Sequence, residues 1–207
     1  MRILRPDGLL YCFGQLGKRE HIFLHLMSAA TLRWQFHDLI SWNRTVGYSE
    51  RRDSFTPATE MILVLRKSAR AKFNKSAVRE PYDEKTVREY LRYKRYANRA
   101  VREQYLAAGK FATNLCRIPS LKGNSSEKCG HPTQKPERLI ERIIGSSSEA
   151  SDTVLDLFSG SGTAVVVAER LGRQWIGIEN NAAYRAMAQK QILKNRVVEK
   201  KKIEISR

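Results

Sequence analysis

The chain is short of acid. Its 207 residues hold 21 Asp and Glu against 38 Lys and Arg, a formal net charge of +17. That balance suits a polyanion partner better than a small neutral metabolite. Cysteine is also scarce: Cys12, Cys116 and Cys129 are an odd count with no C-x-x-C. This excludes a disulfide framework and the usual zinc spacings, and points to reduced, structural thiols in a cytoplasmic protein. No apolar run approaches the length of a membrane span, and no stretch reads as a secretory signal. No internal repeat is present, and the length fits one domain with a sizeable core and one insertion.

What is present is concentrated between residues 131 and 180. Val154-Leu155-Asp156-Leu157-Phe158 has the pattern of a short buried strand. Ser159-Gly160-Ser161-Gly162-Thr163 follows, where Gly160 and Gly162 allow a sharp turn and close approach of a ligand. Ala164 to Leu171 reads as a helix whose first N–H groups point back over that turn. Trp175-Ile176-Gly177-Ile178-Glu179 reads as a second strand that ends in an acid, where a ribose diol would sit. The whole predicts a βαβ unit for a nucleoside-containing cofactor. A dinucleotide fingerprint G-x-G-x-x-G would need a third glycine, which the chain lacks here.

The run Phe158 to Thr163 resembles the S-adenosylmethionine (SAM) loop, D-x-F-x-G-S-G-T, of amino-methylating DNA methyltransferases. His131-Pro132-Thr133-Gln134-Lys135-Pro136 resembles the H-P-T-Q-K-P segment of the same family. The order, a basic region, then this segment, then the SAM loop, matches the permuted β-class. The resemblance implies an α/β Rossmann-like methyltransferase fold that uses SAM and acts on duplex DNA. It implies that Pro132, Thr133, Gln134 and Lys135 lie against the methionine end of SAM, where an amide, a hydroxyl and a fixed positive charge suit a carboxylate. Asp156 would accept from the SAM amine and Glu179 from the ribose hydroxyls. Phe158, Gly160, Ser161, Gly162 and Thr163 form the loop, with Thr163 a helix cap or ligand contact, and Asn180 borders the adenine. Trp175 is expected in the core. His131 is not expected to be a base or metal ligand, since no partner stands at ligand spacing.

Under that resemblance, residues 1–65 are the later half of the methyltransferase sheet, strands five to seven. Leu9 to Gly14, Phe36 to Trp42 and Glu60 to Leu65 read as strands, and His21 to Leu32 as a helix. Residues 66–130 are a target-recognition insertion, 131–198 the SAM-binding half, and 199–207 a basic tail around Lys200-Lys201-Lys202. Residues 66–110 hold fourteen Lys and Arg against five Asp and Glu. Glu84 to Ala108 is expected to be one helix, with Val87, Tyr90, Leu91, Ala97, Ala100, Val101 and Gln104 on one face and Arg88, Arg92, Arg95, Arg99 and Arg102 on others. Arg92, Arg95 and Arg99 are expected to meet DNA phosphates, as are Arg51 and Arg52, with Arg44 beside them. Lys110 to Gly130 is expected to be a long loop, and the last helix to run from Asn181 to Val197.

The family holds a flipped base with a D/N/S-P-P-Y/F/W tetrapeptide at the tip of strand four. This chain has no Pro-Pro pair, and Glu80-Pro81-Tyr82 is not expected to replace one. No catalytic residue is therefore assigned. In the permuted order the tetrapeptide falls upstream of Leu4, so Met1 is expected to be an internal start, a truncation or the later piece of a split gene. Without strand four, the edges of Val154–Phe158 and Leu9–Phe13 should face an empty slot. The resemblance implies a site-specific DNA methyltransferase acting on an exocyclic amine, adenine N6 over cytosine N4 because of the Gly160–Thr163 loop. The alternatives are a non-catalytic SAM- and DNA-binding fragment or a subunit whose partner supplies the catalytic strand, and, from another class, an unrelated Rossmann oxidoreductase with a basic tail, which binding of SAM against NAD would separate.

Overall fold

A computed structural model describes residues 3–15, 20–44, 55–92 and 98–205, with side chains as far as residue 198. The first sheet is built on β1 (Leu9–Gly14), β2 (Gln35–Asn43) and β3 (Thr59–Arg66), with α1 (Glu20–Thr31) between β1 and β2. β3 lies in the middle, antiparallel to both neighbours; Cys12 faces Leu63 and Ile40 faces Ile62. Its run Ile62-Leu63-Val64-Leu65 is no more than 1% exposed. Such a continuous apolar strand needs cover on both faces. Leu63 and Leu65 pack with Phe23 of α1, while Ile62 packs on the opposite face with Trp42, as the period of two requires. Gly14 is forced by this packing: a Cβ there would lie 1.9 Å from the Phe23 ring.

Residues 79–111 hold β4 (Arg79–Glu80), α2 (Glu84–Arg92), α3 (Arg99–Ala108) and β5 (Lys110–Phe111). The single helix expected from Glu84 to Ala108 is corrected to two. Asn98 caps α3, its Oδ1 accepting the Val101 N–H at 2.9 Å. A new cap resets the helical phase, so the expected faces change. Val101 is 49% exposed, whereas Arg102 is 7% exposed and donates to the carbonyls of Tyr90 and Leu91 at the end of α2. A guanidinium there is well placed to bond carbonyls of a helix's last turn. Tyr105 lies between the rings of Tyr82 and Tyr90.

The expected loop from Lys110 to Gly130 contains β5 and also β6 (Leu115–Arg117), which adds to the first sheet parallel to β2. Three residues carry too little alternation to announce a strand, yet Cys116 is fully buried. The first sheet thus reads β1-β3-β2-β6.

The second half holds α4 (Glu137–Ser147), β7 (Thr153–Asp156), α5 (Thr163–Arg170), β8 (Gln174–Gly177) and α6 (Ala182–Ile205). β7 and β8 pair in parallel across α5, the expected βαβ unit. α6 runs past Val197 and takes in Lys200–Lys202, expected as a frayed tail. Two stripes of α4 join the halves. Leu139 and Ile143 pack with Trp42 and Ile62, while Ile140 and Ile144 pack with Val167, Ala168, Val154 and Trp175. Trp175 is therefore core, as expected.

Among the described residues β7 pairs with β8 alone and β1 with β3 alone. Phe13 and Val154 pack on the same α4 cluster, so the two open edges border one place. Leu155, Leu157, Ile176 and Ile178, on and just beyond β7 and β8, are 36–52% exposed. No helix among the described residues is long and apolar enough to cross a membrane.

Candidate functional site

Two acids stand at the tips of the parallel strands. Glu179 reaches across the turn after β7: one oxygen accepts the Gly160 N–H and the other the Asn181 N–H, each at 2.9 Å. The Asn181 amide first, and the Gly160 amide with it, hold this carboxyl below the usual carboxylate range. Asp156 accepts the Phe158 N–H at 3.1 Å. Burial pushes its carboxyl up, the Phe158 amide opposes the rise, and the charge of Glu179 adds to it. The two carboxyls are thus shifted in opposite directions. Phe158 projects beside them, 89% exposed. Asn180 is also exposed, with its carbonyl accepting from Arg185 at 2.7 Å.

The two glycines of the turn serve different purposes. Gly160 has φ +50°, and a Cβ there would lie 2.9 Å from His131 Nε2. Gly162 has φ +79°, and a Cβ there would meet Ala188 of α6 at 2.8 Å. Gly162 therefore lets the start of α5 close on α6. It also takes the position before α5 that Thr163 was expected to cap, and no side chain caps it. Ser161 and Thr163 are buried with their hydroxyls 3.0 Å apart, and both line a cavity together with Gln134.

The segment from His131 is divided in the same way. Pro132 and Thr133 are exposed. The Gln134 amide staples its own loop: its oxygen accepts the Cys129 N–H at 3.0 Å and its NH2 donates to the Glu127 carbonyl at 2.7 Å. Lys135 donates to Glu60 at the start of β3 at 2.7 Å, and Arg44 reaches the same carboxylate at 3.2 Å. Glu60 is 5% exposed. Lys135 also lies over the Phe13 and Trp42 rings. Gln134 and Lys135, expected at the methionine end of a cofactor, are thus engaged inside the protein. Pro136 immediately precedes α4 and does not open its first turn.

His131, which heads the segment that the sequence singled out, lies beside Tyr184, which the sequence did not signal. Their rings meet edge to face at 4.4 Å between centroids. Asn181, which accepts the Ala183 and Tyr184 N–H groups, sets the start of α6 and so the place of Tyr184.

Of the expected DNA contacts, Arg51, Arg52 and Arg95 lie outside the described residues. Arg92 is exposed at the end of α2. Arg99 is exposed and pairs with Glu103 one turn on. Arg44 is turned inward to Glu60 and so does not project as expected. Glu80 pairs with Arg142 of α4, a structural use of the Glu80-Pro81-Tyr82 string.

A family model described as DNA methylase matches residues 1–190. Type II methyltransferase M1.MboII of Moraxella bovis is 33% identical over 186 residues, covering 87% of this chain and 70% of its own length. Type II methyltransferase M.HpaI of Haemophilus parainfluenzae is 31% identical over 192 residues, covering 92% of this chain and 55% of its own. The chain therefore spans between 55% and 70% of the length of these relatives. Among solved structures, the PvuII DNA methyltransferase, named as cytosine-N4-specific, superposes with a TM-score of 0.65 at 20% identity, over 91% of this chain and 64% of that one. At that identity the likeness speaks to the fold, which is the α/β methyltransferase fold expected.

Proposed function

Because this chain belongs to the N6_N4_Mtase family of DNA methylases, we propose that it is the SAM- and DNA-binding part of a methyltransferase that modifies an exocyclic amine in duplex DNA. The observation that carries the cofactor assignment is the acid pair at the strand tips around Gly160. Glu179 is held ionised with its oxygens at the turn, which suits a ribose diol; Asp156, at the end of β7, faces the same turn and suits an ammonium group. The exposed Phe158 ring and Asn180 would flank the adenine, with Pro132 and Thr133 bordering the methionine end. Gln134, Lys135, Ser161, Gly162 and Thr163 would hold these groups in place from behind. SAM supplies the electrophilic methyl; the residues here bind and orient it.

Adenine N6 is the favoured target, on the likeness of Gly160-Ser161-Gly162-Thr163 to the adenine-type loop. The open edges of β7 and β1 would receive one further strand, from the same protein or a partner, carrying the base clamp. Residues 1–65, 66–130, 131–198 and 199–207 would then be the later half of the sheet, the target-recognition insertion, the cofactor half and a basic tail.

Two measurements test this. Asp156→Ala and Glu179→Ala should each weaken S-adenosylhomocysteine binding by about 1–3 kcal/mol, since each leaves a polar ligand group unpaired. Calorimetry with both variants still folded checks it, and unchanged affinity in both removes these residues from the site. Duplex DNA should bind with a steep salt dependence, because Lys and Arg release counterions from phosphates. Arg92→Glu with Arg99→Glu should flatten the slope of log affinity against log salt by roughly 0.9 for each phosphate no longer neutralised. An unchanged slope moves the DNA surface elsewhere, with Arg51 and Arg52 next to be reversed.

A further inference from the structure

His131 sits where three elements of the cofactor site converge. Its Nε2 borders Gly160, 2.9 Å from the place of a Cβ on that residue. Its ring meets Tyr184 in the first turn of α6. Its Nδ1 accepts the Thr133 N–H at 3.3 Å, with the Thr133 hydroxyl 3.5 Å away. A backbone N–H only donates, so Nδ1 must carry a lone pair and the ring proton belongs on Nε2. The charged groups that face the ring are Glu179 at the end of β8 and Lys135 on its own segment, while α6 presents the Tyr184 ring.

We propose that the His131 imidazole is a positioning residue of this cofactor site: as a neutral ring it locks Thr133 and Tyr184 around the Gly160 turn, and on gaining a proton it releases Thr133 and draws on Glu179. The inference rests on the cofactor assignment above. Protonation places a donor on Nδ1 opposite the Thr133 N–H, which breaks that bond. The imidazolium is then attracted to the Glu179 carboxylate, the group that accepts from Gly160 and that the ribose diol needs. Burial holds the ring below the ordinary histidine range; Glu179 opposes this and Lys135 adds to it. The folded site therefore favours the neutral ring. Binding is full above the His131 midpoint and is lost as pH falls through it, by up to about tenfold per pH unit for one linked proton.

The test is S-adenosylhomocysteine affinity from pH 8 to pH 5 in the unmodified chain, His131→Asn and His131→Ala, with nuclear magnetic resonance of the imidazole and of the Thr133 amide in the free protein. Burial also raises the Asp156 carboxyl, and the Asn variant separates the two, because its amide oxygen accepts from Thr133 but does not titrate. His131→Ala should weaken binding at pH 8 by about tenfold, on the scale of a lost hydrogen bond. His131→Asn should recover part of that loss and bind with a shallower pH slope than the unmodified chain. The Thr133 amide should titrate with the imidazole. An equally steep slope in His131→Asn, or a Thr133 amide that ignores the imidazole, overturns the proposal while leaving the cofactor assignment standing. A folded chain that binds no S-adenosylhomocysteine at any pH overturns both.

Discussion

Residues 1–207 alone are expected to transfer no methyl group from SAM to mixed-sequence duplex DNA, and to do so once a strand bearing an Asp-Pro-Pro-Tyr tip is supplied, fused or in trans. Two arguments meet here. Chemically, an exocyclic amine must be held by an acceptor and stacked on an aromatic before it can attack the methyl in line. The chain contains no Pro-Pro pair from which the family's clamp could be built. Structurally, among the described residues one edge of β7 and one of β1 are unpaired, and Leu155, Leu157, Ile176 and Ile178 of the β7–β8 unit are exposed. Open edges and exposed apolar side chains invite self-association. The added segment should therefore raise solubility together with turnover, as measured by labelled-methyl transfer. Robust turnover without it would defeat the proposal. Tyr82, whose ring packs near Tyr105 in the insertion, would then be the first residue to mutate.

Glu60→Ala is expected to destabilise the fold by about 3 kcal/mol. Removing one member of a buried ion pair typically costs about 3–5 kcal/mol, because the partner keeps its desolvation cost without its counterion. The lower end applies, since the Lys135 side chain retains 24% of its exposure and Arg44 17%. Lys135 lies 75 residues from Glu60 in sequence, so this cluster ties the segment before α4 to the β2–β3 pair. Glu60→Gln keeps the shape and one hydrogen bond and should lose less. Denaturant unfolding of the three proteins checks the order. Equal stability of all three would show that the cluster contributes nothing to holding the segment.

The parts of the site legible in the sequence are those made by neighbours in the chain. Val154–Asp156, the Gly160 turn, α5 and Glu179 form one local unit, and its strand and helix periods name it. β1, β2 and β3 were legible for the same reason, as short apolar-rich runs, whereas the three residues of β6 were not. What was not legible depends on distant partners. Gln134 and Lys135 look like ligand groups until Glu127, Cys129 and Glu60 come within hydrogen-bond distance. Gly162 looks like a ligand-approach glycine until α6 lays Ala188 against it. Arg102 looks solvent-facing until Asn98 restarts the helix and turns it onto the carbonyls of α2. His131 was visible only as the first residue of its segment; its contacts with Gly160 and Tyr184 come from far along the chain.

The central claim is that the β7–α5–β8 unit is built for SAM. Its most direct test is a pair of calorimetric titrations of the folded chain, one with S-adenosylhomocysteine and one with NAD, at pH 8. The account predicts saturable binding of S-adenosylhomocysteine and none of NAD. Binding of NAD in its place, with Glu179 still required, would contradict the account and make the unit a dinucleotide site despite its missing third glycine.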